Sequence, residues 1–331
     1  FHEFMVSALY DPHYGFYTKG PAIGSQDGTF NTNAMFPAFA FAIALAIQQA
    51  EELVREPLRV IEFGGGTGEL GAYITEFSRS SLEYTVIETS PSLREQQKNR
   101  GLTTIDDVEM LCPGPTFVLG NEVLDAFPVH RVMSDGSGQL MEMYVGLDKH
   151  EEFTEIPGTL STPLLAKRLH DENIHLGRGH IAEICLEFHD FLNKIQRIVS
   201  AGYLVFIDYG DEAANLYSYT KPNGTLRSFQ SQRQTFDPFD SVGEQDLTTD
   251  VDFSALKTAA QESGFITVGS LQQGPWLHNI GIEKYLTQVD DSQKAQTDIK
   301  RLTKLADLGS TFDIQIFKTK GLPDGLGLHL S

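Results

Sequence analysis

The stretch Glu62-Phe63-Gly64-Gly65-Gly66-Thr67-Gly68 places four glycines in five positions, directly after an apolar run at 58–63. Without a Cβ, glycine takes positive φ freely and lets a ligand lie against bare peptide groups. If a helix follows, its first N–H groups lack partners within the chain and attract a carboxylate or a phosphate. Glu62, Gly64, Gly66 and Gly68 fit Glu-x-Gly-x-Gly-x-Gly, and Gly65 extends the bare surface. In a second register, Gly66-x-Gly68-x-x-Gly71 satisfies the dinucleotide pattern. Glu88, which closes the next apolar run, stands where an acidic residue grips ribose hydroxyls in either case. Spacing alone therefore leaves a nicotinamide enzyme open.

Other apolar runs also stop at polar residues. The run 116–120 ends in Asn121-Glu122-Val123-Leu124-Asp125, and 203–207 ends in Asp208-Tyr209-Gly210. These positions are informative because of the elements that carry them. The runs 58–63 and 84–88 are short and β-branched, 67–77 has helical apolar spacing, and Ser90-Pro91 supplies an N-cap followed by a proline at the first helical position. Strands alternating with helices predict an α/β fold, a mostly parallel sheet with helices on both faces. Ligands of such a sheet sit beyond the carboxyl ends of the strands, where these polar residues fall. Two late strands are expected at 265–271 and 312–318, the second after a helix stop at Gly309. The segment 131–145 alternates about Asp135-Gly136 and predicts a hairpin on the sheet's rim. The segment 211–250, rich in Gly, Pro, Ser, Thr and Asp, reads as a long loop.

The 331 residues carry a formal charge of −20. The mean field therefore repels polyanions, and no basic patch invites nucleic acid or an anionic membrane. Such acidity suits solubility, or a basic protein as substrate. Cys112 and Cys185 are far apart, which excludes a disulfide framework and a zinc knuckle and fits a reducing compartment. The apolar stretch 36–47 falls short of a bilayer and predicts a buried helix, not membrane insertion. His170, His175 and His180 match neither a zinc motif nor one helical face, so they read as solvated and no metal is expected.

Further motifs carry a resemblance. They are Asp11-Pro12-His13-Tyr14-Gly15-Phe16-Tyr17, the run from Asn121 to Val129, Ile207-Asp208-Tyr209-Gly210, and Gly243-Glu244-Gln245-Asp246-Leu247-Thr248 followed by Val251-Asp252-Phe253. With the glycine loop they resemble the MidA-like family of S-adenosylmethionine-dependent methyltransferases, which includes a mitochondrial complex I assembly factor that methylates protein arginine. The likeness runs from about 11 to 317. It implies a Rossmann-like class I methyltransferase fold with a smaller accessory region built from insertions. One domain, 1–331, would have its core at about 36–127, 183–210 and 251–320, with insertions at about 128–182 and 211–250 and a segment 1–35 covering the active site. S-adenosyl-L-methionine is the implied cofactor, and a protein bearing arginine the implied substrate. Glu62, Gly64, Gly65, Gly66 and Gly68 would hold its amino-acid part, Glu88 and Thr89 its ribose, and Asn121 and Glu122 would line the reacting edge. Tyr14, Tyr17 and Thr32 would wall the pocket. One departure stands out: where the family has Asp-Phe-x-Thr-Ser-Pro-Glu, this chain reads Gly28-Thr29-Phe30-Asn31-Thr32-Asn33-Ala34.

A guanidinium is a poor nucleophile, always charged and delocalised, so an arginine enzyme needs carboxylates that grip two N–H groups and leave a third facing the methyl. Glu122 and Asp125, three residues apart just past a strand, are expected to do this. Asp208 and Tyr209 are expected to anchor the substrate or position a proton acceptor. The alternatives are a small-molecule methyltransferase and a cofactor-binding scaffold without catalysis. The expected compartment is the bacterial cytoplasm, with the mitochondrial matrix as the other choice; a homodimer is allowed.

Overall fold

The computed structural model describes residues 1–19, 32–78, 82–230, 233–235 and 237–328. The chain opens with α1 (His2–Tyr10), followed by α2 (Pro37–Val54), which starts on a proline. By length and composition α2 could cross a bilayer, since it extends beyond its apolar stretch. Its apolar side, including Phe39, Ile43 and Ile47, is buried in the main core. Then come β1 (Arg59–Phe63), α3 (Glu69–Phe77), β2 (Tyr84–Ile87), α4 (Pro91–Asn99), β3 (Thr103–Ile105) and β4 (Gly114–Asn121). Ser90 caps α4 by accepting the Leu93 N–H on its hydroxyl at 3.3 Å.

The chain then leaves the main sheet. β5 (His130–Ser134), β6 (Leu140–Leu147), β7 (Phe153–Gly158), α5 (Pro163–Asp171) and β8 (Ile181–Ile184) follow, with the strands in the order β7-β6-β5-β8. The expected hairpin is present, but it belongs to this second, antiparallel sheet and not to the rim of the first. Val132, Ala182 and Ile184 pack with Leu165 and Leu169 of α5 into a separate small core, which gives the hairpin a reason to sit apart.

α6 (Phe188–Ile198) and β9 (Val199–Asp208) return to the main sheet. The expected long loop is instead folded: β10 (Gly210–Asp211), α7 (Ala213–Leu216) and a three-stranded sheet of β11 (Arg227–Gln230), β12 (Arg233–Thr235) and β13 (Asp246–Thr248). β14 (Val251–Asp252), α8 (Phe253–Glu262), β15 (Ile266–Gln272), α9 (Gln273–Ile280), α10 (Ser292–Thr303) and β16 (Asp313–Lys318) complete it. α10 stops at Thr303, and Gly309 lies in a separate 3-10 turn, so it is not the helix stop expected there.

The main sheet runs β15-β16-β9-β4-β1-β2-β3, parallel except for β16, which is antiparallel to both neighbours. Both faces are covered. In β9, Tyr203, Val205 and Ile207 enter the core under α2, α9 and α10, while Leu204 and Phe206 face α6 and α8. Burial on both faces is why these strands read as unbroken apolar runs. The chain works outward from β1 to β3, then returns to β4 on β1's other side, so the strand order reverses between β1 and β4. A crevice beyond the strand ends at such a reversal is where an open α/β sheet binds ligands.

Candidate functional site

A cavity of about 1440 Å³ lies at that reversal. Gly64, Gly65, Gly66 and Thr67 form one wall. The glycines are required first by the chain itself. Gly64 and Gly66 have φ of 65° and 52°, and a Cβ on Gly64 would stand 2.8 Å from Val123 Cγ2. A Cβ on Gly65 would stand 2.6 Å from Val86 Cγ1, so the loop is pressed between β2 and the turn after β4. Gly64, Gly65 and Gly66 therefore meet the cavity with backbone alone, Gly64 giving its N–H to Ile87 O at 3.0 Å. Gly68 is not in the wall; it caps α3 with φ of 84° and packs on Gln97 and Leu102.

Glu62 and Glu88 border the same end. Glu62, on β1, takes the Tyr84 hydroxyl at 2.9 Å. Burial pushes its carboxyl up to about 7 against that bond, and Glu88 adds to the rise. Glu88 follows β2 and accepts the Ser90 N–H at 2.9 Å; burial raises it to about 7 as well. Gln97 of α4 donates to Gly66 O at 2.8 Å, which braces the glycine wall. Thr89 lines the cavity beside Glu88.

Beside the glycine wall β4 ends in Asn121, and the next residue turns sharply. Glu122 has φ of 51°, a conformation that non-glycine residues hold only under constraint. The constraint is visible: Glu122 N–H donates to Ile207 O at 2.8 Å, and its Oε1 accepts Thr32 Oγ1 at 2.6 Å, Asn121 Nδ2 at 3.0 Å and Asn33 N–H at 3.3 Å. Burial, helped by Asp125, lifts the Glu122 carboxyl to about 7 against these bonds. Asn121 Oδ1 is buried with no partner among the described residues, an acceptor that a ligand N–H could fill.

Asp125 lines the cavity and accepts the Tyr209 hydroxyl. Burial raises its carboxyl to about 6, opposed by the Tyr209 bond and by Arg227. Asp208 does not reach the cavity lining. Its Oδ2 accepts the N–H groups of Val123, Leu124 and Asp125 at 3.2, 2.9 and 3.3 Å, and its Oδ1 accepts the Tyr209 N–H at 3.0 Å. The expected substrate anchor is thus a buried staple that shapes the turn on which Glu122 and Asp125 ride.

Tyr14 also departs from expectation. Asp11 Oδ1 accepts the N–H groups of His13 and Tyr14, and that turn throws the Tyr14 ring outward, 74% exposed and away from the cavity. Tyr17 of the same motif does lie in the wall, as do Tyr10 just before it and Tyr209, with Tyr17 donating to Asp246 Oδ1 at 2.9 Å. Burial and Asp125 push Asp246 up to about 8. Sequence reasoning missed Asp246, Arg227 of β11 and Asp107, which follows β3, although Asp246 stood inside a motif already noted. Thr32 lies in the wall as expected, while positions 28–31 of the departing segment fall outside the described residues.

Among the described residues, ten carboxyl residues and two cations, Lys194 and Arg227, line the cavity, which therefore favours a cationic ligand. Among the described residues no group of three or more acidic, histidine or cysteine side chains could hold a metal. His170 and His175 are exposed, but His180 is buried, contrary to the solvated reading.

The family model described as "Putative S-adenosyl-L-methionine-dependent methyltransferase" matches residues 42–271. The mitochondrial protein arginine methyltransferase NDUFAF7 of Danio rerio is 26% identical over 343 residues, covering 89% of this chain and 76% of its own. That of Rattus norvegicus is 26% identical over 323 residues, covering 85% and 70%. Among solved structures, a COG1565 superfamily member from Burkholderia thailandensis bound to S-adenosyl-homocysteine is 28% identical, with a TM-score of 0.90 over 99% of this chain and 89% of that one. A native crystal structure of a COG1565 superfamily protein from the same organism superposes with a TM-score of 0.87 at 28% identity, over 99% and 88%.

Proposed function

The chain belongs to the MidA-like family of S-adenosyl-L-methionine-dependent methyltransferases, and on that footing we propose that it methylates an arginine side chain of a partner protein. Family membership decides between the two registers of the glycine loop in favour of S-adenosylmethionine over a nicotinamide. The residues present suit that cofactor. The peptide N–H groups of Gly65 and Gly66 would take its carboxylate, Glu62 its ammonium group and Glu88 its ribose hydroxyls, while Asp107 offers an acceptor to the adenine amino group.

The observation that carries the arginine reading is the set of carboxyls that share the cavity with the glycine loop. Glu122, Asp125 and Asp246 line it together with Tyr10, Tyr17 and Tyr209. Carboxylates hold guanidinium N–H groups in a fixed plane, and aromatic faces attract the cation. When bound, the cofactor supplies an electrophilic methyl group on a sulfonium. Glu122 and Asp125 would orient the acceptor nitrogen in line with it, and the tyrosines would exclude water. As the N–C bond forms, the guanidinium gives up one proton. Glu122, raised to about 7, is matched to receive it near neutral pH. The relatives' names are those of mitochondrial proteins, so the mitochondrion is the compartment to test first, ahead of the bacterial cytoplasm.

The test is transfer of radiolabelled methyl from S-adenosylmethionine to lysate proteins, followed by acid hydrolysis and amino-acid analysis. Labelled methylarginine that is lost in Glu122→Ala supports the reading. Label confined to small molecules would reassign the acceptor, and no label at all despite cofactor binding would make the protein a scaffold.

A further inference from the structure

β11 brings Arg227 to the cavity wall beside Tyr209. The guanidinium carbon lies 4.6 Å from the centre of the Tyr209 ring, against which Phe312 also packs at 6.0 Å. Arg227 Nη2 donates to Asp250 Oδ1 at 2.6 Å, and Lys221 Nζ donates to the other oxygen of Asp250 at 2.9 Å. Asp250 is itself fixed, donating its N–H to Thr225 Oγ1 at 3.0 Å. A continuous relay thus runs from Lys221 through Asp250, Arg227 and Tyr209 to Asp125, whose carboxylate takes the Tyr209 hydroxyl. Every link is polar or cation–π, and the relay ends on a carboxyl that the acceptor would touch.

The groups that bear on Asp125 make the cation conspicuous. Glu122 comes from the turn after β4, Asp208 and Tyr209 from the end of β9, Asp246 from β13, and Tyr10 and Tyr17 from α1 and the turn after it. All of these are acids or phenols. Arg227 brings the opposing charge and stands with the Tyr209 hydroxyl against the effect of burial on Asp125.

We propose that Arg227 is a positioning residue: laid on the Tyr209 ring and tied to Asp250, it fixes the Tyr209 hydroxyl on Asp125 and keeps that carboxylate anionic towards the acceptor. The proposal rests on Asp125 facing the methyl acceptor, as argued above. A nearby opposite charge lowers a carboxyl pKa, and Arg227 acts on Asp125 in that direction. Arg227→Met therefore raises the Asp125 midpoint, and Arg227→Lys restores most of it by returning the charge.

The experiment is carboxyl carbon-13 NMR of the full chain, labelled at aspartate Cγ and saturated with S-adenosylhomocysteine, titrated from acid to neutral pH. Asp125→Asn identifies the resonance. The expected result is an upward move of the Asp125 midpoint in Arg227→Met, near return in Arg227→Lys, and unchanged affinity for S-adenosylhomocysteine. Should Arg227→Met fail to fold, Arg227→Gln removes the charge while keeping a planar donor and is read in the same way. An Asp125 midpoint that stays put in a folded, uncharged variant overturns the proposal. Because this readout needs no acceptor, a failure to find methylarginine would sink the substrate reading and leave this one standing.

Discussion

Tyr17 donates its hydroxyl to Asp246 Oδ1 at 2.9 Å across 229 positions of sequence, and the Tyr17 carbonyl accepts Ser90 Oγ at 2.7 Å. One residue of the opening turn thereby joins the three-stranded sheet to the start of α4 over the cavity mouth.

Tyr17→Phe removes the donor from a buried carboxyl. At pH 7 Asp246, raised to about 8, is mostly protonated, so the loss is about 1 kcal/mol, that of a neutral hydrogen bond. At pH 9 Asp246 is ionised and the loss grows to about 1.5–3 kcal/mol, the range for a bond to a charged group. Urea unfolding of both proteins at the two pH values checks this; equal losses would show that the bond does not couple to ionisation.

The folded chain holds its site carboxyls protonated well above their ordinary range, with Asp125 at about 6, Glu62, Glu88 and Glu122 at about 7 and Asp246 at about 8. Between the ordinary carboxyl values and these, the folded state binds more protons than the unfolded one, so the linkage makes stability fall as pH rises. The ligand-free protein should lose denaturant resistance from pH 5 to about pH 9 and level off above. A stability that climbs through that window would contradict the burial of these groups.

Cofactor binding should reverse part of this. Donors from the ligand favour the ionised forms of Glu62 and Glu88, so S-adenosylhomocysteine binding at pH 7 should release protons. Calorimetry in two buffers of different ionisation enthalpy measures the number, and proton uptake would argue against contact with these two residues.

Gly64→Ala should cost about 1–3 kcal/mol, combining a left-handed backbone with a Cβ driven 2.8 Å from Val123. Adding Val123→Ala removes the steric part and leaves the conformational one. Thermal melts of the single and double variants, with and without S-adenosylhomocysteine, separate the two; no recovery in the double variant would place the whole cost in the backbone.

Asp208→Asn and Asp125→Asn should differ in kind. The first replaces one oxygen of a carboxylate that serves four backbone N–H groups, and should lose about 1.5–3 kcal/mol of stability. The second keeps an oxygen for Tyr209, should melt within about 1 kcal/mol of the parent, and should abolish methyl transfer. Equal melting temperatures with equal activity loss would return Asp208 to the chemistry.

The parallel strands were legible because burial on both faces writes them as apolar runs, and their polar ends marked Glu62, Glu88, Asn121 and Glu122 in advance. β3 was not, being three residues of Thr-Thr-Ile. The strands in 211–250 hid among turn-forming residues, and their pairing, Ser228 with both Thr235 and Leu247, is settled only in the folded sheet. Tyr14 and Tyr17 share one motif, yet only the Asp11 turn decides which ring faces inward. Asp208 looked catalytic for a sound reason, since it ends a central strand; nothing in the sequence shows four N–H groups converging on it. The glycines owe their places to Val86 and Val123 as much as to any ligand, a contact between segments that no local pattern contains.

β16 enters the sheet between β9 and β15, although it follows both in the chain. During synthesis, one flank of β9 therefore waits without its hydrogen-bonding neighbour while more than a hundred further residues emerge. Such a bare flank is a template for mispairing with other chains. Thr311 and Phe312, which border the cavity just before β16, arrive at the same late moment. Holding a methyl donor thus waits on the arrival of β16, and a chain stalled on the ribosome before β16 would meet the chaperones with one edge of β9 uncovered.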